Sequence, residues 1–378
     1  MTTIIDSDQH LYEPRGLWRD HADPSERDDA IRIEDDDLGY AWVTWRDERL
    51  GIADVQAPGK TVELGERRNR RARGEPAEYS YDEALPIDFW QAPARAERIS
   101  DMGFDAAVCF PNFGLLWERR VGASLPALLT NMGAWNRWCA TLAHDGAGAV
   151  HPVAHVTLRD LDWLDAQLTT LSAAGVRVAM MAPALVDGKP LSHPDLDRAW
   201  ASFVANGITP VFHVADQPRV FDDAWYTDDG DRFVNVVESV FLWTPAALAL
   251  TDLIVNGVLE RHDDLRMGVV ELSAIWVPQY LMMLDGGYEF TAKLNGRVPA
   301  PLSMRPSEYF RRQVRISSFS YEQPARLEHQ TGDLFMACSD YPHSEGTATP
   351  LDDYRAVGSE PGGVTGLFDR NAEFLLRL

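Results

Sequence analysis

The sequence predicts an α/β fold, a closed (β/α)8 barrel with long insertions in the loops after strands one and five. Three observations predict it. Eight short runs rich in β-branched residues alternate with helical stretches along the 378 residues, the pattern of parallel strands joined by right-handed crossovers. Several helical stretches end on glycine just before the next strand, as in SAAG ahead of Val176 and VANG ahead of Ile208, where glycine takes the left-handed cap conformation. No glycine-rich phosphate loop follows the first strand, so the doubly wound open sheet lacks its usual sign.

In order, the expected strands are Ile4–His10, Ala106–Phe110, Val150–Val156, Val176–Met181, Thr209–Val214, Arg266–Leu272, Val314–Phe319 and Leu334–Asp340. The helices between them fall on PARAERISDMG, LPALLTNMGAWNRWCATLAHD, DLDWLDAQLTTLSAAG, PDLDRAWASFVANG, TPAALALTDLIVNGVLERH, IWVPQYLMMLDGG and EQPARLEHQTG, and GLFDRNAEFLLRL closes the chain. Residues of about 20–90 and about 216–245 stand outside the repeat. In a single barrel domain spanning 1–378, insertions at those places cap the C-terminal face, where active sites of this architecture lie.

Bulk composition narrows the function. Hydrophobic residues make up 45% of the chain, enough for a sizeable core. No apolar run approaches the roughly 18 residues of a membrane span, and the start MTTIIDSDQH lacks a signal peptide's basic head and apolar stretch; the expectation is a cytoplasmic protein. Cys109, Cys139 and Cys338 have no CxxC spacing and read as buried thiols. A formal charge of −23 opposes nucleic acid and anionic membranes as partners. The basic run GERRNRRARG, holding Arg67 to Arg73, reads as a solvated part of the first insertion.

The opening segment carries the chemistry. In DSDQH, Asp6, Asp8 and His10 occupy alternate positions of a strand, so they share one face and repel each other unless a cation sits there. Other strands end in similar groups: His155 on the third, His213 on the fifth, Glu271 on the sixth and Asp340 on the eighth, with His343 just beyond. Acids and imidazoles meeting at one end of a barrel are a metal site's inventory. The expected ligands are Asp8, His10, His213 and Asp340 around one divalent ion, zinc first, with manganese or iron where oxygen ligands are numerous.

These segments resemble the amidohydrolase-related group of the amidohydrolase superfamily, which includes aminocarboxymuconate-semialdehyde and γ-resorcylate decarboxylases. The resemblance is carried by DSDQHLYEP, GVLERHDDLRMGVVELSAIWVPQYLMMLD, RRQVRISSF, CSDYPHSEG and RNAEFLLRL. It implies a barrel with one metal at its C-terminal mouth, held by His10 with Asp8, His213 and Asp340, and commonly a homodimer or higher oligomer. Two departures stand out. Many superfamily members have His-x-His where this chain has Asp8-x-His10, and the group's decarboxylases have a strand-six histidine where this chain has Glu271. Binuclear members use a carbamylated strand-four lysine; VRVAMMAP holds none and Lys189 lies beyond it, so one metal is expected.

The leading activity is hydrolysis: metal-activated water attacks an amide, lactone or ester-like bond, with Asp340 taking the proton, Glu271 as second base or orienting group, and His155 or His343 on the substrate. The alternative is non-oxidative decarboxylation of an aromatic or unsaturated acid, with Asp340 or Glu271 giving the proton. A non-catalytic ligand-binding barrel is the third reading. Trp42, Trp45, Trp90, Phe113, Trp117, Trp225 and Trp243 suit a small aromatic or apolar substrate.

Overall fold

The computed structural model describes residues 3–226, 236–363 and 365–378. Its parallel strands are β1 (Ile5–Leu11), then, after three insertion strands β2 (Arg32–Asp35), β3 (Ala41–Trp45) and β4 (Glu48–Ile52), β5 (Ala106–Pro111), β6 (Val150–His155), β7 (Val178–Met180), β8 (Thr209–His213), β9 (Met267–Val270), β10 (Val314–Ser318) and β11 (Phe335–Ala337). The eight-stranded sheet runs β1-β5-β6-β7-β8-β9-β10-β11. Its ends meet: Gln9 and Tyr341 form a parallel bridge, and Asp340 N donates to Asp8 O (2.9 Å) while His10 N donates to Tyr341 O (2.7 Å). This is the (β/α)8 barrel that the sequence predicts, with each barrel strand within a few residues of its expected span.

Both faces of these strands are covered, as in all-parallel sheets, and every residue of β1 is buried. The outer layer includes α1 (Ala92–Asp101), α2 (Leu125–Asp145), α3 (Leu161–Ala173), α4 (Asp197–Asn206), α5 (Thr244–Val255), α6 (Val277–Asn295), α7 (Pro306–Gln313), α8 (Pro324–Thr331) and α9 (Arg370–Leu376). The helix expected over TPAALALTDLIVNGVLERH breaks after Val255, because Gly257 takes a positive φ of 76°. In contrast, the helix expected over IWVPQYLMMLDGG continues through its paired glycines to Asn295. Helix α7 fell outside the expected repeat. By length and hydropathy the helical stretch Val236–Val255 is apolar enough to cross a membrane; here it is split before Trp243, and its second half packs Ala246, Leu250, Leu253 and Ile254 into the barrel's core.

The first insertion is structured. Strands β2, β3 and β4 form an antiparallel sheet, followed by a helix at Thr61–Ala72 that buries no residue. The basic run lies on this helix, and its charges are met locally: Arg70 pairs with Glu75 and Glu78, and Arg73 with Glu66 and Glu75. Of the second insertion, 227–235 lie outside the described residues. Cys109, Cys139 and Cys338 are buried and free.

Candidate metal centre and its cavity

Four strand ends deliver the site. His10 comes from β1 and His213 from β8, while Glu271 and Asp340 stand just past β9 and β11. Donor atoms of Asp8, His10, His213 and Glu271 fall within 4.8 Å of one another, as do those of His10, Glu271, Asp340 and His343. His10 Nε2 lies 3.4 Å from Asp8 Oδ1 and 3.1 Å from Asp340 Oδ1. His213 Nε2 lies 3.5 Å from Asp8 Oδ1 and 3.3 Å from Glu271 Oε2. Atoms each about 2.1 Å from one ion stand roughly 3–3.5 Å apart at tetrahedral or octahedral angles, so these separations fit a shared cation.

The hydrogen-bond pattern agrees. Both Asp8 carboxylate oxygens, both of Asp340, Glu271 Oε2, and Nε2 of His10 and His213 are buried without a hydrogen-bond partner. Leaving so many polar atoms unsatisfied in one place is costly unless an ion satisfies them together. The imidazoles are oriented for that role. His10 Nδ1 faces Pro111 O (3.1 Å) and His213 Nδ1 faces Val214 O (2.8 Å). A carbonyl can only accept, so Nδ1 carries the proton and the Nε2 lone pair points into the cluster.

Without a cation the charges strain against one another. Burial, together with Asp340 and Asp8, pushes the Glu271 carboxyl well above the usual carboxylate range. Burial opposes ionisation of Asp340 too, but His343 and His10 outweigh it and hold its carboxyl below that range. Glu271 and Asp340 also take positive φ angles of 52° and 55°, a conformation uncommon for residues with a Cβ and one that clusters at functional sites. His343 lies across the cluster's edge: its ring stacks on His10 with centroids 3.8 Å apart, Nδ1 is 2.8 Å from Asp340 Oδ1, and Nε2 contacts Asn112 Oδ1 at 2.8 Å.

Two residues from the sequence reading stand apart from this cluster. Asp6 does not join Asp8 and His10, because the register of β1 against β5 shifts between Asp6 and Gln9. Its carboxylate instead receives Ser339 N and Oγ (3.0 and 2.6 Å), Gln9 Nε2 (2.9 Å) and Asp8 N (3.1 Å), tying the first barrel strand to the last. His155, expected on the substrate, is buried at 1% exposure with Nε2 on Glu118 Oε2 (3.0 Å) and its ring against Trp117. It does not line the cavity.

A cavity of about 860 Å³ opens above the cluster, with His213, Glu271 and His343 on its floor. Residues Phe113, Leu115 and Leu116, which follow β5, form one wall; Ile52, Asp54, Gln56 and Arg68 of the first insertion and Phe221, Tyr226 and Phe241 of the second form the others. Of the aromatic residues expected around a substrate, Phe113 is in the wall. The tryptophans stand elsewhere: Trp42 lies between Arg49 and Arg71, Trp117 is buried behind His155, Trp243 stacks on Trp276, and Trp225 is exposed and outside the cavity's lining. The sequence reading counted Glu271 among the strand-end acids and as a catalytic group but not among the ligands, although it is a donor in both clusters; Asn112 beside His343 escaped it. Position at a strand end signalled the first; nothing in sequence signalled the second.

No family model matches the chain, and no curated protein matches it. Solved structures share its architecture. An amidohydrolase from Mycobacterium avium subsp. paratuberculosis superposes with a TM-score of 0.78 at 21% identity, covering 99% of each chain. A 5-carboxyvanillate decarboxylase from Novosphingobium aromaticivorans, solved with manganese and 4-hydroxy-3-methoxy-5-nitrobenzoic acid, gives 0.64 at 16% identity over 100% of this chain and 96% of its own. A dihydroxybenzoic acid decarboxylase from Polaromonas sp. JS666, with manganese and 2-nitroresorcinol, gives 0.63 at 12% identity over 100% of this chain and 98% of its own.

Proposed function

We propose that this chain is a metal-dependent enzyme of the amidohydrolase superfamily that decarboxylates a small aromatic or unsaturated acid without an oxidant. The observation that carries the metal part is the set of buried, unpartnered donor atoms on Asp8, His10, His213, Glu271 and Asp340. With Glu271 kept for proton transfer, Asp8 and Asp340 beside two imidazoles leave positions for substrate or water oxygens, an oxygen-rich set that suits manganese better than tetrahedral zinc. The preference for decarboxylation over hydrolysis comes from the barrels of similar shape that act on hydroxylated benzoates and hold manganese.

A divalent ion bound there supplies Lewis-acid polarisation of a substrate oxygen. The chain's own groups do the rest. His10 and His213 hold their rings fixed through their Nδ1 bonds to Pro111 O and Val214 O. Glu271, on the cavity floor, is the group we assign to carry the proton to the substrate carbon as carbon dioxide leaves. It stands where the resembled decarboxylases have histidine. His343, bridging Asp340 and Asn112, orients the substrate's polar edge. The aromatic walls exclude water and hold the ring, and we infer that both insertions act as the lid of this mouth.

Hydrolysis is the second reading, favoured by Glu271 in place of histidine, since a carboxylate suits a general base. The test loads the protein with Mn²⁺ or Zn²⁺, counts ions by elemental analysis, and screens hydroxybenzoates for carbon dioxide release against a panel of amides, lactones and esters. One ion per chain with carbon dioxide release is the expected result. Turnover confined to the amide and ester panel would replace decarboxylation with hydrolysis, and protein that neither binds nor is stabilised by either ion would remove both.

A further inference from the structure

We propose that the outward face of α6 is a docking surface for a second copy of this chain, the two helices packing antiparallel about a two-fold axis at Gly286 and Gly287. The inference does not depend on the metal-centre reading above, because it concerns the outer surface of the barrel.

Helix α6 buries only Val277, Leu281 and Leu284. At about 100° per residue, Gln279, Met283, Gly286, Gly287, Phe290 and Leu294 form a stripe on its other side. Met283, Phe290 and Leu294 are 67, 64 and 70% exposed, and Ile275 and Met282 are more than half exposed as well. The outer face of a surface helix is ordinarily polar. This stripe carries no charge: Asp285 turns away to accept from Ser307 N and Oγ (2.8 Å each), and Glu289 pairs with Lys293 at the stripe's edge. With a formal charge of −23, two copies repel over most of their surfaces, and an uncharged apolar strip is where they approach at least cost. A groove of about 410 Å³ adjoins the stripe, walled by Thr251 and Val255 of α5 and Tyr280 of α6, with Met283 and Gly287 common to both features.

The two glycines give the stripe its shape. A Cβ at either would meet nothing within 4 Å, so nothing inside the fold requires glycine there, and each weakens the helix relative to alanine. The bare backbone forms a notch, with Met283 one turn before it and Phe290 one turn after. In an antiparallel pair centred on that notch, Phe290 of each copy stands opposite Met283 of the other. Knob and notch lie on one helix, the self-complementarity that a two-fold contact requires, and glycine at the crossing lets the axes approach to about 8 Å. The five exposed side chains offer on the order of 600 Å² of apolar surface, the upper end of what a monomer leaves as one patch. A polar rim brings this to the roughly 800 Å² per partner of a standard interface. A lipid surface would take the apolar side chains but gives no reason for paired glycines at the centre of a symmetric pattern.

The experiment measures the mass of the full chain in solution by sedimentation equilibrium at micromolar concentrations. Wild type should have twice the chain mass. Phe290→Asp should associate at least about tenfold more weakly with its circular dichroism unchanged; Leu294→Lys is the second variant should the aspartate form fail to fold. Replacing Gly286 and Gly287 together by alanine should raise helix content and yet weaken association by at least about tenfold, opposite signs that a purely structural role for the glycines does not produce. Register is read by mixing Met283→Cys with Phe290→Cys protein: a short bis-maleimide should join them to each other, and neither to itself, since Cys109, Cys139 and Cys338 are buried. Wild type that stays at single-chain mass, free or on phosphatidylcholine vesicles, overturns the proposal, as does a dimer that either folded variant leaves unchanged. A dimer that the variants dissociate but the mixed cysteines do not link overturns the antiparallel arrangement.

Discussion

Replacing Asp340 by Asn changes one carboxylate oxygen to an amide in the middle of the cluster, next to His10 and His343. The remaining oxygen still donates a lone pair, whereas the negative charge that faces His10 and His343 is lost. We expect Asp340→Asn to keep most of its metal and lose activity by at least about a hundredfold, read from elemental analysis beside a turnover assay. His213→Ala has the opposite signature. Its Nε2 contributes nothing to folding bonds, being without a partner, so the variant should fold and show a reduced metal-to-protein ratio. Glu271→Gln tests the proton donor: the amide orients a substrate but delivers no proton, so turnover should fall with substrate affinity kept. At this scale the sequence was informative where a residue stands at a strand end, as with Asp8, His10, His213 and Asp340. His155 also stands at a strand end, yet Glu118 and Trp117 claim it. Strand position alone does not reveal which partner a side chain meets first.

The loop after β11 is held to the strand end so tightly that one position has no room for a side chain. A Cβ at Gly346 would stand 2.4 Å from Asp340 O and 2.7 Å from Ser339 O, and both are backbone atoms that cannot swing aside. Gly346→Ala should therefore displace the Asp340 segment, cost about 1–3 kcal/mol of stability, and weaken metal binding, measurable as a lower melting temperature and a right-shifted metal titration. The glycine of CSDYPHSEG thus has a steric reason that the motif alone does not state. The barrel strands were legible because they are short, mostly apolar runs buried on both faces. The insertion's strands were not separated from loop: RIED and ERLGI are half exposed, and neither charge nor alternation distinguishes them from a polar connection. Helix α7 hides for a similar reason, since its Arg305, Glu308, Arg311 and Arg312 obscure the buried stripe of Tyr309 and Phe310.

Across the whole molecule, buried acids couple stability to pH. Glu13 is fully buried, accepting from Phe113 N (2.9 Å) and Gly114 N (2.8 Å), and burial pushes its carboxyl up to about 7 from 4.5. Between those values the unfolded chain releases a proton that the folded chain keeps, so stability falls as pH rises, by roughly 3 kcal/mol for such a shift. Metal-free protein should therefore melt at lower temperature at pH 7.5 than at pH 5. Glu13→Gln should flatten that slope only in part, because Asp6 and Glu328 are also raised to about 7; an unchanged slope would exclude Glu13 as a contributor. Length, composition and strand rhythm conveyed the barrel, but the cavity's far wall depends on loops whose meeting is a matter of three-dimensional path.

The barrel's seam, where Asp340 N reaches Asp8 O and His10 N reaches Tyr341 O, carries a further consequence. Because the first and last barrel strands both feed donors to one cluster, sealing the ring and completing the cage are a single event, and a sheet left open at this seam would lack the Asp340 side of it.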